Sequence, residues 1–139
     1  MTDPFALKMC DIQGRLFELA GEKNVPSEWF IRSVMAGDVG KNLDSDYNPM
    51  QWRGEEYLLE EVLSDQKREG ADKREVYPRE VLYWTGYLYR YWHYLTGESS
   101  SKIFRLAPPR TMKQNYVMFH TMDQALAIEN LKELRRQTA

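Results

Sequence analysis

The chain has 139 residues, of which 42% are hydrophobic and 29% charged, and its formal net charge is −2. A domain of this size buries roughly two-thirds of the surface that its unfolded chain exposes, so it needs neither a disulfide nor a metal to fold. The single cysteine, Cys10, excludes an internal disulfide. We expect its thiol to be buried and inert, in a protein of a reducing compartment.

No segment of the sequence is typical of secretion or of a membrane span. Residues 1–4 lack the basic stretch that begins a signal peptide. The most apolar stretch, residues 81–95, is interrupted by Arg90 and His93, whereas a spanning helix needs about 18 or more apolar residues in a row. We therefore expect a cytoplasmic protein that does not associate with membranes.

Helical patterns begin at the start of the chain. Pro4 suits the first turn of a helix, and apolar residues follow at spacings of three and four as far as Leu19. A second, shorter helix is expected from Pro26 to about Gly37. Residues 40–48 are predicted to form a loop, because their Asn, Asp and Ser side chains tend to bond their own backbone.

A third helix is predicted to begin at Pro49, with an apolar side that includes Trp52 and Leu63 and with glutamates over much of the rest. The charged segment that follows, about 66–76, contains a glycine and no large apolar side chain before Val76. We expect this connector to be mobile and open to proteolysis.

The segment 79–96 predicts an unusually aromatic helix in a chain whose residues are 13% aromatic. Its spacing places rings and leucines on one wide face. The residues of this face are Trp84, Tyr87, Leu88, Tyr91, Trp92 and Leu95. Further rings occur on the other sides, and a helix that is apolar nearly all round is either central in its fold or covered by a partner.

Capping signals divide the remainder of the chain into three helices. Gly97 is a plausible helix stop, Ser99 or Ser100 can cap a short helix, and Pro109 starts the next one. A capping box at 121–124 precedes the last helix. We therefore predict one all-α domain spanning the whole chain, a compact orthogonal bundle of about six to seven helices.

Charge is unevenly distributed along the sequence. Residues 44–75 contain ten acidic and five basic residues, whereas residues 99–122 contain four basic residues and no acidic one. This asymmetry indicates either an acidic partner or a basic segment that faces the acidic one within the fold.

Patterns that would indicate catalysis are absent from the sequence. With two histidines and one cysteine, the chain lacks the four N or S ligands of a structural zinc site. Cys10 with His93 or His120 carries no nucleophile signature, and Glu56 with Glu60 is typical of a solvated acidic face. We expect no enzymatic activity, no metal and no cofactor.

Arg90 and His93 are the only strongly polar side chains between Glu80 and Thr96. They allow three interpretations: a buried arginine held by a distant carboxylate, a recognition face of rings around an arginine, or an active site of Tyr, Arg and His. We predict the recognition face, extended by the basic segment. The predicted partner-binding residues are Tyr89, Arg90, His93, Tyr94, Lys102, Arg105 and Arg110.

Two stretches of the chain resemble a known family. They are residues 43–57, with LDSDYNPMQW and GEEY, and residues 83–123, with YWTGYLYRYWHYLTGESS and FHTMD. The chain is similar here to small, uncharacterised bacterial proteins whose members sit in short operons beside ADP-ribosyltransferase-like toxin candidates. The resemblance implies a bacterial source and an antitoxin-like role, and it carries over no functional residue.

The leading hypothesis is thus a non-catalytic protein-binding protein, the antitoxin or regulatory partner of a neighbouring toxin, with a homodimer left open. The alternative is a nucleic-acid-binding regulator whose basic segment 99–120 has a helix-turn-helix-like outline. Two prolines in the turn and the acidic balance of the whole chain argue against this alternative.

Overall fold

The computed structural model describes residues 3–46, 48–65 and 75–138, and all regular secondary structure in these ranges is helical. Eight α-helices and one short 3-10 helix are present there. The α-helices are α1 (Pro4–Glu22), α2 (Ser27–Met35), α3 (Asp38–Asp44), α4 (Glu55–Asp65), α5 (Arg79–Thr96), α6 (Ser100–Leu106), α7 (Pro109–Phe119) and α8 (Gln124–Thr138). The all-α prediction is confirmed, although the helices exceed the six to seven expected. Most of the predicted connector at 66–76 lies outside the described residues.

Local signals set the ends of several helices where the sequence predicted them. Pro4 is the first residue of α1, and the carboxylate of Asp3 accepts a hydrogen bond from the Phe5 amide at 3.0 Å. Ser99 caps α6 by accepting from the Lys102 amide at 3.1 Å. Gly97 ends α5 with a φ of 78°, a left-handed conformation that glycine adopts without a steric penalty.

Two predictions for the middle of the chain were wrong. Residues 40–44 of the loop expected at 40–48 belong to helix α3, because Val39 and Leu43 are one helical turn apart and both are buried. Pro49 begins only the 3-10 helix Pro49–Trp52, and Gly54, with a φ of 84°, separates it from α4. Burial of apolar residues in α3 outweighed the preference of its Asn and Asp residues for a loop. The backbone conformation at Gly54 interrupted the helix predicted to start at Pro49.

The start of the last helix also differs from the prediction. Asp123, not Thr121, accepts a hydrogen bond from the first turn, since its carboxylate receives the Ala125 amide at 3.1 Å. Gln124 is the first residue of α8, so it cannot serve as the third helical residue that a capping box requires.

The core is built around α5, which packs against α1, α6, α7 and α8. The closest approach is to α1: a Cβ added to Gly86 would lie 2.5 Å from the carbonyl oxygen of Gln13. Phe17 of α1 contacts Tyr89 of α5 edge to face, with ring centroids 6.3 Å apart, and Trp92 is fully buried. The aromatic helix is therefore central in the fold, and only part of its ring surface remains accessible.

Candidate functional site

Arg90 is the most completely buried charge among the described residues, with none of its surface exposed. Its Nε donates to Oε1 of Gln13 at 2.9 Å, and its Nη1 donates to Oδ1 of Asp44 at 2.6 Å. Its Nη2 donates to Oγ of Ser100 at 2.9 Å. Three helices thus supply an acceptor to every nitrogen of the guanidinium, which is how a charge is tolerated inside a protein.

Asp44 is the hub of this buried polar cluster. Its Oδ2 accepts from the backbone amide of Ser100 at 2.8 Å, and its Oδ1 accepts from the Ser100 hydroxyl at 2.6 Å. Nδ1 of His93 lies 3.5 Å from Asp44 Oδ1 and 2.7 Å from the carbonyl oxygen of Glu98. A carbonyl only accepts, so this contact assigns the hydrogen of the imidazole to Nδ1.

These contacts correct the prediction for two residues of the expected recognition face. Arg90 is enclosed by the chain's own side chains and is held by Asp44. This matches the first of the three interpretations, a buried arginine held by a distant carboxylate. Tyr89 is fully buried as well, and its hydroxyl donates to the carbonyl of Ala107. Neither side chain is presented to a partner in this conformation.

The other predicted partner-binding residues do not form one surface with them. His93 and Tyr94 are half-buried, with their rings 5.3 Å apart. Lys102 is exposed and pairs with Glu98 at 3.3 Å. Arg105 donates to the Ser101 hydroxyl, whereas Arg110 approaches Glu28 of α2 at 4.0 Å.

Three half-buried rings of α5, those of Tyr83, Trp84 and Tyr87, line a groove of about 460 Å³ between α1, α5, α7 and the turn before α8. We call it the aromatic groove. Its lining residues are Glu18, Arg79, Glu80, Tyr83, Trp84, Tyr87, Leu88, Tyr116, His120, Met122 and Gln124. Volume and composition both match those of a site that binds another molecule.

The rings of the aromatic groove hold one another in place. Trp84 meets Tyr116 edge to face at 5.6 Å, and Tyr116 stacks on His120 at 4.2 Å. Tyr83 and Tyr87 lie 6.0 Å apart, and the Tyr83 hydroxyl donates to Asp11 of α1. Burial, and then the Asp11 contact, raise the pKa of Tyr83, and burial raises the pKa of Tyr87, so both stay neutral near pH 7.

A second groove, of about 620 Å³, adjoins the aromatic groove and has a different chemistry. We call it the acidic groove. Its lining residues are Asp11, Arg15, Glu18, Leu19, Glu22, Glu55, Glu56, Arg79 and Tyr83. Glu18, Arg79 and Tyr83 line both grooves, so the two are continuous.

The two cations of the acidic groove are already paired. Arg15 Nε lies 2.9 Å from an oxygen of Asp11, and Arg79 Nε lies 2.7 Å from an oxygen of Glu18. The remaining carboxylates, Glu22, Glu55 and Glu56, form no ion pair within residues 3–46, 48–65 and 75–138. The acidic groove therefore has negative charge that the described chain does not neutralise.

Cys10 is fully buried in α1, as expected. Burial raises the pKa of its thiol to about 12, and the charge of Arg90 offsets only part of that effect. The thiol is therefore protonated at neutral pH and chemically inert.

No three His, Cys, Asp or Glu side chains in the described part of the chain are grouped so that they could hold a metal ion. None of the helices there has both the length and the apolar composition of a membrane span.

Sequence reasoning missed the aromatic groove, although part of its signal was visible. Trp84 and Tyr87 belong to the wide face recognised on α5, and Tyr116 of α7 is one turn before His120, which directly follows that helix. The spacing could not show that these two faces meet. Asp44 was likewise not identified as the carboxylate that holds Arg90.

Comparison with known proteins yields no matching family model, no matching curated protein and no matching solved structure. The function is therefore inferred from the geometry of the grooves and from the side chains that line them.

Proposed function

We propose that this chain is a non-catalytic protein-binding protein and that its partner contacts the aromatic groove. The observation that carries the proposal is a set of half-buried rings, including Trp84, Tyr87 and Tyr116, which line one open groove of about 460 Å³. Trp and Tyr dominate binding hot spots, since they bury large areas at little cost in side-chain entropy.

The rigidity of the groove supports recognition of a partner. Trp84 is held by Tyr116, and Tyr83 is held by Asp11, so these rings are already ordered before a partner arrives. A preorganised surface loses less conformational entropy on binding than a flexible one. The same surface left uncovered would be an apolar patch of the kind that marks interaction sites.

The polar groups around the groove favour binding over catalysis. Glu18 is engaged with Arg79, and Nδ1 of His120 bonds the carbonyl of Tyr116. This bond leaves Nε2 of His120 with a free lone pair, but no Ser, Thr, Cys or Lys among the described residues lines the groove to act as a nucleophile beside it. We therefore assign these groups to positioning and solubility.

Within this proposal, the partner that the family resemblance suggests is a toxin encoded beside the chain. Binding would inhibit that toxin by covering a surface that it needs. The resemblance supplies only the candidate, whereas the aromatic groove supplies the contact surface.

The nucleic-acid alternative receives less support from the basic segment 99–120. Lys102 pairs with Glu98, Arg110 approaches Glu28, and Lys113 pairs with Glu75. Phosphate binding requires cations that are available to neutralise phosphates. These cations are already neutralised in part by carboxylates of the same chain.

Trp84→Ala tests the proposal. We expect loss of a central ring to weaken partner binding by roughly 2 kcal/mol, about thirtyfold in Kd. The measurement is affinity purification from cells of the source organism, with quantitative mass spectrometry of the recovered proteins. The neighbouring toxin candidate, purified separately, gives the Kd by calorimetry.

Trp52→Ala is the matched control. Trp52 is 68% exposed and does not line the aromatic groove, so its removal should leave partner recovery unchanged. Circular dichroism and urea unfolding establish that both variants are folded. Equal recovery of the same partner by wild type and by a folded Trp84→Ala protein would refute the proposal.

A further inference from the structure

We infer that the partner presents a basic segment, with an apolar or aromatic side chain seated in the aromatic groove and Lys or Arg side chains seated in the acidic groove. This inference rests on the proposed function and adds the chemistry of the partner. It follows from the continuity of the grooves, from the charge of the acidic groove and from the affinity of half-buried rings for cations.

Continuity of the grooves allows one segment to occupy both. Tyr83, Glu18 and Arg79 line both grooves and so mark the boundary between them. A segment that leaves the aromatic groove past Tyr83 therefore reaches the carboxylates of the acidic groove. Residues adjacent in the partner's sequence would meet the two surfaces.

The negative charge of the acidic groove favours a positively charged partner segment. Five acidic and two basic residues line it, and both arginines are paired. Within residues 3–46, 48–65 and 75–138, Glu22, Glu55 and Glu56 have no ion-pair partner and can face an incoming ligand. Complementary charge speeds association and rejects like-charged partners, and salt screens it.

The half-buried rings of Tyr83 and Trp84, close to these carboxylates, also favour cations. Lys or Arg is attracted to the face of Trp or Tyr through the ring quadrupole. The chain itself uses this contact at Arg53 on Tyr57, at Lys113 on Tyr77 and at Lys132 on Trp92, with the charge 4.9 to 5.9 Å from the ring centre.

A random-peptide display library selected on the wild-type chain tests the inference. Counter-selection on folded Trp84→Ala, and separately on Tyr87→Ala, retains the peptides that need the aromatic groove. We expect these peptides to be enriched in Lys and Arg next to Trp, Tyr, Phe or Leu. Groove-dependent peptides without excess Lys and Arg would overturn the inference and leave the proposed function standing.

A library that yields no peptide dependent on either ring would overturn both this inference and the proposed function.

For a selected peptide, the double variant Glu55→Gln/Glu56→Gln should weaken binding about fivefold, and raising the salt from about 50 to about 500 mM should reduce that difference. Glu60→Gln/Glu61→Gln removes the same charge from the same helix outside the acidic groove and should leave binding unchanged. Equal weakening by both double variants would contradict a specific role for the acidic groove.

Discussion

At the scale of single residues, the buried cluster around Arg90 shows how this chain holds a charge in its core. The guanidinium reaches Gln13, Asp44 and Ser100, and each contact lies between 2.6 and 2.9 Å. A buried ion pair adds little stability over an apolar pair of the same volume, but breaking it leaves an uncompensated charge. The main effect of the cluster is therefore to set the relative positions of α1, α3, α5 and α6. Its net contribution to the free energy of unfolding is small.

Arg90→Met should lower the free energy of unfolding by roughly 3 kcal/mol, because Asp44 would remain partly buried without its cation. The double variant Arg90→Met/Asp44→Leu should lose less than the sum of the two single variants, since it leaves no unpaired charge. Urea unfolding of all four proteins gives the coupling energy. Strict additivity would show that the two side chains do not stabilise each other.

At the scale of secondary-structure elements, the close approach of α1 and α5 organises the fold. Gly86 faces the backbone of α1, where an added Cβ would lie 2.5 Å from the Gln13 carbonyl oxygen. This proximity also places Gln13 where its Nε2 donates to the Gly86 carbonyl at 2.9 Å. Helix α5 becomes central because its smallest residue allows α1 to pack directly on it.

Gly86→Ala should therefore destabilise the protein by about 2 kcal/mol, even though alanine favours a helix by about 1 kcal/mol over glycine. Gly21→Ala is the control, because its Cβ would come closer than ordinary contact only to the end of the Leu82 side chain, at 2.5 Å, and would meet no backbone of another element. Chemical unfolding measures both variants. Equal stability of Gly86→Ala and Gly21→Ala would mean that the two helices separate at little cost.

Glu98 joins α5, α6 and α8. It accepts from Trp92 Nε1 at 2.8 Å, and Lys132 and Lys102 approach it at 2.9 and 3.3 Å. Burial alone would raise the pKa of Glu98, but the hydrogen bonds from Lys132, Trp92, Thr96 and Lys102 outweigh burial and lower it to about 2. The ionised carboxylate is thus stabilised by folding.

This lowered pKa predicts the pH dependence of stability. The stabilisation from Glu98 is present above its unfolded pKa and is lost as the pH falls toward the folded value of about 2. Between about pH 6 and pH 3, wild-type stability should fall more steeply than that of Glu98→Gln. Urea unfolding at several pH values checks this, and parallel profiles for the two proteins would contradict it.

At the scale of the whole molecule, sequence reasoning could predict the helices but not how they meet. Proline and the caps are local, so the starts of α1, α6 and α7 were predictable from Pro4, Ser99 and Pro109. Asp44 and Arg90 are 46 positions apart, and helical periodicity carries no information at that range. The short helix α3 was missed for the same reason, since burial against the rest of the fold stabilises it.

The sequence could predict which helix carries the candidate site, but not which of its rings are accessible, because accessibility depends on contacts between distant residues. The sequence identified α5 as too aromatic to be an ordinary surface helix, and the structure places it centrally. Which rings remain accessible depends on where α7 packs, as the contact between Trp84 and Tyr116 shows. The recognition hypothesis accordingly moves from Tyr89 and Arg90 to the rings of the aromatic groove.

The most direct test of the central claim is site-specific photo-crosslinking in living cells of the source organism. A photoreactive phenylalanine analogue replaces Tyr87 in the aromatic groove in one protein and exposed Trp52 in another. Our account predicts a covalent adduct with one defined protein from position 87 and none from position 52. An adduct from position 52 alone, or none from position 87 while the partner still co-purifies, would contradict it.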